Sequence, residues 1–264
     1  MFSIIVCSHR PDRSDAIARH YAQVFRGHPH ELIRIPDARS LCEGYARGTR
    51  AARGEVLVFS HDDVEIVAPD LPARLSGHLS AVDVVGIAGT TKLIDGAWVS
   101  AGDPHCFALV IYPADGDLFE VKCIGGGGLV VPAIQAVDGC FFACRREVAE
   151  AVGFDAATFD GFHLYDLDFS FRAHLAGFRL AVCRDIPLIH ASRGTLDAGL
   201  AVYRRRFEEM HRHRLSPGVA SPVREARARV PRDRLRWFCE PAGVQMMIDR
   251  LQVRTGTPPP SRTP

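Results

Sequence analysis

The chain has 264 residues, 47% of them hydrophobic and 24% charged, which is enough to bury one large core and too apolar for general disorder. The net charge of +1 hides an asymmetry: residues 201–264 hold fourteen Arg against six acidic residues, so residues 1–200 are left at −7. An acidic body with a basic tail excludes a nucleic-acid-binding core, whose basic footprint belongs on the folded domain, and it suits a bound divalent cation.

Phe2–Val6 is short, apolar and β-branched, and polar Ser8-His9-Arg10-Pro11 ends it, so it reads as a buried strand. It is too short for a signal peptide or a membrane span, and no other stretch reaches that length. Residues 14–25 have helical spacing, with Ser14 as a cap. A strand at 31–35 follows, then a helix at 41–53 ended by Gly54, then a strand at 55–60 that delivers His61-Asp62-Asp63. This alternation predicts an α/β fold with a doubly wound, mostly parallel sheet, whose ligands bind beyond the carboxyl ends of the strands.

Further on, the pattern predicts a helix at 69–79 and a strand at 82–88. Residues 89–137, with four consecutive glycines at 125–128, read as irregular loops and short strands facing a substrate. A strand at 139–144, a helix at 165–176 and strands at 178–183 and 186–189 lead to His190. From Leu196 the spacing of Leu200, Tyr203, Phe207 and Met210 is helical, and a Pro-rich tail closes the chain. The expected organisation is a catalytic domain at 1–195, a basic helical extension at 196–254 and a disordered tail at 255–264. The eight cysteines include no pair at zinc-knuckle spacing and several lie in apolar runs, so they read as reduced core residues of a cytoplasmic protein.

Five segments carry chemistry. Asp62 and Asp63 at a strand end form an oxygen-rich site for Mg²⁺ or Mn²⁺, or else a turn in which an Asp caps the next helix. Asp166 and Asp168 open a helix and point in different directions, so one can serve as a base while the other pairs with Arg172; taken alone, acidic residues that only complement the helix dipole are the favoured reading. His190, at the end of an apolar strand, is a metal ligand or an ordinary hydrogen-bonded histidine. Ser8, His9 and Arg10 after the first strand and Asp37 after the second occupy the expected nucleotide crevice, or are plain turn residues. Asp138-Gly139 allows close backbone approach to a ligand, or is a turn.

In this order the segments resemble family 2 glycosyltransferases of the A-type fold, closest in wording to a branch named for streptomycin biosynthesis. Residues 59–64 and 161–168 look like its two signature segments, and the likeness covers about residues 2–195. The resemblance implies Asp63 and His190 at the metal, Asp62 near donor ribose or the metal shell, and Asp166 as catalytic base. It implies nucleotide contacts from Ser8 and Asp37. Two positions depart from the pattern: His61 stands where the acidic triplet usually begins with Asp, and Tyr165 where a Glu commonly precedes the base.

The function expected from this is metal-dependent, inverting transfer from a nucleoside-diphosphate sugar, most simply a UDP-sugar, to an acceptor hydroxyl. A transferase-like module that binds a nucleotide sugar or glycan without turnover is the alternative. A nucleotidyltransferase ranks lower, because the turn after the first strand has one Arg and no Gly to cradle a triphosphate. Trp98 reads as a packed loop aromatic, with stacking on a sugar face as the other choice. The apolar stripe of the C-terminal extension suggests a docked helix or a contact between copies of the chain.

Overall fold

The computed structural model describes residues 1–193 and 198–253, so the first expected residues of the last helix and the Pro-rich tail at 255–264 lie outside the described residues. The chain opens with β1 (Phe2–Cys7), α1 (Pro11–Val24), β2 (His30–Ile35), α2 (Leu41–Ala51) and β3 (Val56–Ser60). Then come β4 (Val64–Ile66), α3 (Leu71–Ala81), β5 (Val84–Gly86), β6 (Ala88–Thr90), β7 (Cys106–Pro113), β8 (Leu118–Ile124), β9 (Val130–Ile134), β10 (Ala136–Val137) and β11 (Phe141–Arg145). The rest is α4 (Arg146–Val152), α5 (Tyr165–Leu175), β12 (Leu180–Cys183), β13 (Leu188–His190), α6 (Ala198–His211), β14 (Glu225–Pro231), a 3-10 helix at Arg232–Cys239 and α7 (Pro241–Val253).

The first sheet has the order β2-β1-β3-β11-β5-β12-β9. Five of its seven strands point the same way; β11 and β9 run against them. Alternate side chains face opposite layers. Ile4, Val6 and Val58 pack with Ile17 and Tyr21 of α1 and Leu71 and Leu75 of α3. Ile5, Leu57 and Phe59 pack with Leu41 and Tyr45 of α2 and Phe169 of α5. The expected α/β sheet, covered on both faces, is therefore present.

Local chemistry sets the helix ends. Pro11 sits in the first turn of α1, where its missing N–H costs nothing, so the helix begins before Ser14; Ser14 is buried inside it and is not the cap. Ser40 caps α2, accepting from the Glu43 N–H at 3.0 Å, while Glu43 accepts from the Arg39 N–H at 3.1 Å.

Residues 89–137, expected as irregular loops and short strands, hold short strands in β6 and β10 but also the eight-residue β7 and the seven-residue β8. They supply most of a second sheet, ordered β10-β6-β7-β13-β4, with β8 joined to β7 and β14 to β8. The buried run at 106–111 forms β7, and the turn at 114–117 reverses it into β8. The four glycines form a loop wrapped on a fully buried side chain, Arg184. Its guanidinium donates to the carbonyls of Gly125 (2.8 Å), Gly126 (2.5 Å) and Gly128 (2.6 Å). Gly125 and Gly127 have φ of 74° and 84°, a region that favours glycine. The run is thus a cradle for an arginine.

Residues 196–254, expected to be helical, contain β14. Ala226 and Ala228 face inward while Arg227 and Arg229 face outward, the period of a strand. β14 pairs with β8 along its whole length. Leu235, Phe238, Met247 and Ile248 cover the outer face of β7 and β8. The eight cysteines are all free thiols, seven of them buried. No described helix is long and apolar enough to cross a membrane.

Candidate active site

Strand pairing assembles the site. β3 ends at Ser60 and releases His61, Asp62 and Asp63 before β4 begins at Val64. β13 runs antiparallel to β4 with His190 opposite Val64, which lays the imidazole beside Asp63. The Ala191 N–H donates to the Asp63 carbonyl at 3.0 Å and locks that register. β11 pairs with β3 from Phe141, so Asp138, Gly139 and Cys140 arrive next to His61, whose N–H donates to the Cys140 carbonyl at 3.0 Å. The N-terminus of α5 then closes over Gly139. A methyl there would collide with the Tyr165 hydroxyl and lie 2.6 Å from Cβ of Asp166, so only glycine lets the helix approach.

These segments surround a cavity of about 610 Å³. Ser8, His9, Arg10, Asp62, Asp63, Asp138, Gly139, Asp166 and His190 all line it. Asp37 is not among the lining residues; its exposed carboxylate pairs with Arg47 at 2.9 Å. Ser8 donates to Asp62 at 2.6 Å, and Arg13 meets the other oxygen of that carboxylate at 3.4 Å. Arg10 turns to Asp12, at 2.9 Å. Asp168 does not reach the cavity: it is fully buried, with Arg172 on one oxygen and His211 on the other.

Asp63, His190 and His61 bring one ligand atom each within 4.8 Å of one another. His190 Nε2 is 3.3 Å from Asp63 Oδ1 and 3.4 Å from His61 Nδ1. The sequence reading had Asp63 and His190 and missed His61. Tyr165 explains what His61 does. Its hydroxyl donates to the Gly139 carbonyl at 3.0 Å, so the 2.7 Å bond to His61 is donated by the imidazole Nε2–H. That tautomer leaves a lone pair on Nδ1, aimed at His190. Two imidazole nitrogens and a carboxylate crowded this closely fit a shared cation, and the nitrogen donors suit Mn²⁺ better than Mg²⁺. A second group, His78, Cys183 and Asp185, also clusters, but there Arg74 and His78 already satisfy the carboxylate.

Electrostatics separates the carboxylates. Burial acts on Asp63 upward, but the hydrogen bond and charge of His190 and a hydrogen bond with the Ser192 side chain outweigh it, holding the group well below the usual range. Asp166 moves the other way: burial, and then the Asp138 charge, push it up to about 7. Asp138 has both oxygens engaged, one by the Trp98 indole N–H at 3.0 Å and one by the Cys140 N–H at 3.0 Å. Trp98 is therefore a hydrogen-bonded wall residue that orients Asp138. A carboxylate held in its ionised form and a second one tuned near neutrality are suited to charge binding and to proton transfer respectively.

No curated protein matches the chain. Among solved structures it is similar to a mannosyltransferase, PcManGT from Pyrobaculum calidifontis in complex with GDP-Man and Mn²⁺, at 17% identity and a TM-score of 0.43, over 83% of this chain and 56% of that one. It is also similar to GalNAc-T7 with UDP, GalNAc and Mn²⁺, at 13% identity and a TM-score of 0.46, over 79% of this chain and 47% of that one. The chain thus spans about half the length of each. The model of a family described as "Glycosyltransferase like family" matches residues 3–209, most of the sequence and every segment that builds the cavity up to α6, and the chain belongs to that family.

Proposed function

We propose that the protein is an inverting glycosyltransferase that moves a sugar from a nucleoside-diphosphate sugar, a UDP-sugar by preference, to an acceptor hydroxyl. The observation that carries this reading is the meeting, in one cavity, of Asp166 with a carboxyl tuned to about 7 and the His61, Asp63 and His190 cluster. Ser8, Asp62 and Arg13 bind the nucleotide end. Asp63, His190 and His61 hold the divalent cation, Mn²⁺ or, less favourably, Mg²⁺. When bound, such an ion offsets the charge of the departing diphosphate.

Asp166 accepts the proton of the acceptor O–H as its oxygen forms a bond to the anomeric carbon. The bond from that carbon to the diphosphate breaks on the opposite side, and the nucleoside diphosphate leaves. A double displacement needs a second free carboxylate as nucleophile, and the neighbouring candidate, Asp138, is occupied by Trp98 and Cys140. Single displacement with inversion fits this arrangement. Eight unpaired cysteines agree with a reducing compartment, and we place the protein in the cytoplasm.

The test is titration of UDP and GDP with and without Mn²⁺, followed by a donor-hydrolysis assay with a panel of UDP- and GDP-sugars. Mn²⁺-dependent binding and release of nucleoside diphosphate support the reading. Binding with no release under any acceptor converts the protein into a nucleotide-sugar binding module, and absence of binding refutes the site.

A further inference from the structure

We propose that Arg204, on α6, is a phosphate-binding residue of the cavity. This rests on the transferase reading for the identity of the cavity, but it concerns a wall that the strand ends do not supply.

Four arginines line the cavity. Three have carboxylate partners: Arg10 with Asp12, Arg13 with Asp62, and Arg193 with Glu120 at 3.2 Å. Arg204 has none among the described residues, and its Nε is buried without any hydrogen-bond acceptor. A buried guanidinium N–H with no acceptor is costly, and an anion that enters the cavity removes that cost.

The side chain is held for this task. On either side of it, Tyr203 donates to Asp160 at 3.0 Å, and Arg206 donates to the same carboxylate at 2.7 Å and to the Thr158 carbonyl at 2.9 Å. Phe207 is fully buried, and His211 meets the buried Asp168 at 3.1 Å. α6 is therefore fastened at four points around Arg204. The stem of Arg204 packs on Gly96, where an added Cβ would lie 2.9 Å from its Cγ and 3.1 Å from its Cα. The aliphatic part is pinned while the charged head has no partner among the described residues, so a planar guanidinium fork is held ready to take a phosphate through two of its oxygens. Asp62, Asp63 and Asp138 already crowd the cavity with negative charge, so an anionic ligand needs a cation of this kind in the wall.

The phosphate can come from the diphosphate of the donor or from a phosphate on the acceptor, and one experiment separates them. Wild type, Arg204→Gln and Arg204→Lys are titrated calorimetrically, in Mn²⁺, with UDP, GDP, uridine and guanosine. They are then titrated with inorganic phosphate after saturation with the nucleoside diphosphate. Thermal melting confirms that the variants fold. Loss of one or two charge-assisted bonds predicts weakening of about ten- to a hundredfold for Arg204→Gln, with partial recovery in Arg204→Lys. If UDP or GDP weakens while the nucleosides do not, the phosphate belongs to the donor. If the nucleotides bind as before and phosphate binding to the filled protein is lost, it belongs to the acceptor. Unchanged binding of every phosphate species in the folded variants overturns the assignment. Failure of wild type to bind any nucleotide, with phosphate still bound through Arg204, overturns the transferase reading and leaves this one standing.

Discussion

Replacing Asp166 by Asn should remove turnover and at the same time stabilise the protein at alkaline pH. The carboxyl has an ordinary value of 3.8 and is raised to about 7 in the folded chain, first by burial and then by the Asp138 charge. Below pH ~3.8 both folded and unfolded states hold the proton, and the group is neutral to stability. Between that point and pH ~7 only the folded state keeps it, so stability falls by about 1.4 kcal/mol for each pH unit. Above pH ~7 the loss is constant, and the difference of about three units sets it at roughly 4 kcal/mol as an upper bound.

Asn has the same shape and no charge, so the variant escapes this loss. Urea unfolding at pH 8 and pH 5 should show Asp166→Asn more stable by about 3 kcal/mol more at the higher pH than at the lower. Donor turnover should fall by about a hundred- to ten-thousand-fold, with nucleotide affinity little changed. A stability difference that does not vary with pH would refute the argument that this carboxyl is strained into its neutral form.

The same shift predicts that kcat/KM falls about tenfold per pH unit below pH ~7 in wild type, measured as an acid limb of the pH–rate profile. Tyr165→Phe frees the Nε2–H of His61 and should weaken Mn²⁺ binding by about ten- to a hundredfold, read by calorimetry without any substrate. His61→Asp exchanges a nitrogen donor for oxygen and should narrow the preference for Mn²⁺ over Mg²⁺ by about tenfold or more in the same measurement. Gly139→Ala forces Tyr165 and Asp166 away from the strand; it should destabilise by about 1–3 kcal/mol and cost on the order of a hundredfold in turnover.

The first sheet was legible because β1 and β3 are apolar runs buried on both faces, while the half-buried edge strand β2 sits between helices with readable ends. The second sheet was not. β4, β6 and β10 are two or three residues long, too short for a period to show, and although a strand was expected at 186–189, where β13 lies, nothing in the sequence shows that it finds β4 across more than a hundred residues of chain. β14 had a readable alternation of Ala with Arg, but its charged positions resembled an exposed helix face. Asp37 shows the opposite limit: its place after β2 was foreseen, yet Arg47, one helix away, draws the side chain to the surface.

That most of these residues meet at one cavity was legible from their order along the chain, because strand ends in a parallel sheet share one rim. What order could not reveal is that the two departures from the family pattern belong together. Read singly, a histidine for the first acid of the triplet and a tyrosine before the base each look like damage to the site. In the structure they lie 104 residues apart in sequence and 2.7 Å apart in space. The tyrosine hydroxyl, committed to the Gly139 carbonyl, fixes which nitrogen of the histidine stays free. An aspartate at 61 needs no such partner, and an ionised glutamate at 165 could accept from the imidazole but could not donate to the Gly139 carbonyl as the tyrosine does. If the cluster holds a cation as proposed, the pair exchanges one way of completing its shell for another, with nitrogen in place of oxygen, and metal preference is the property in which that exchange would show.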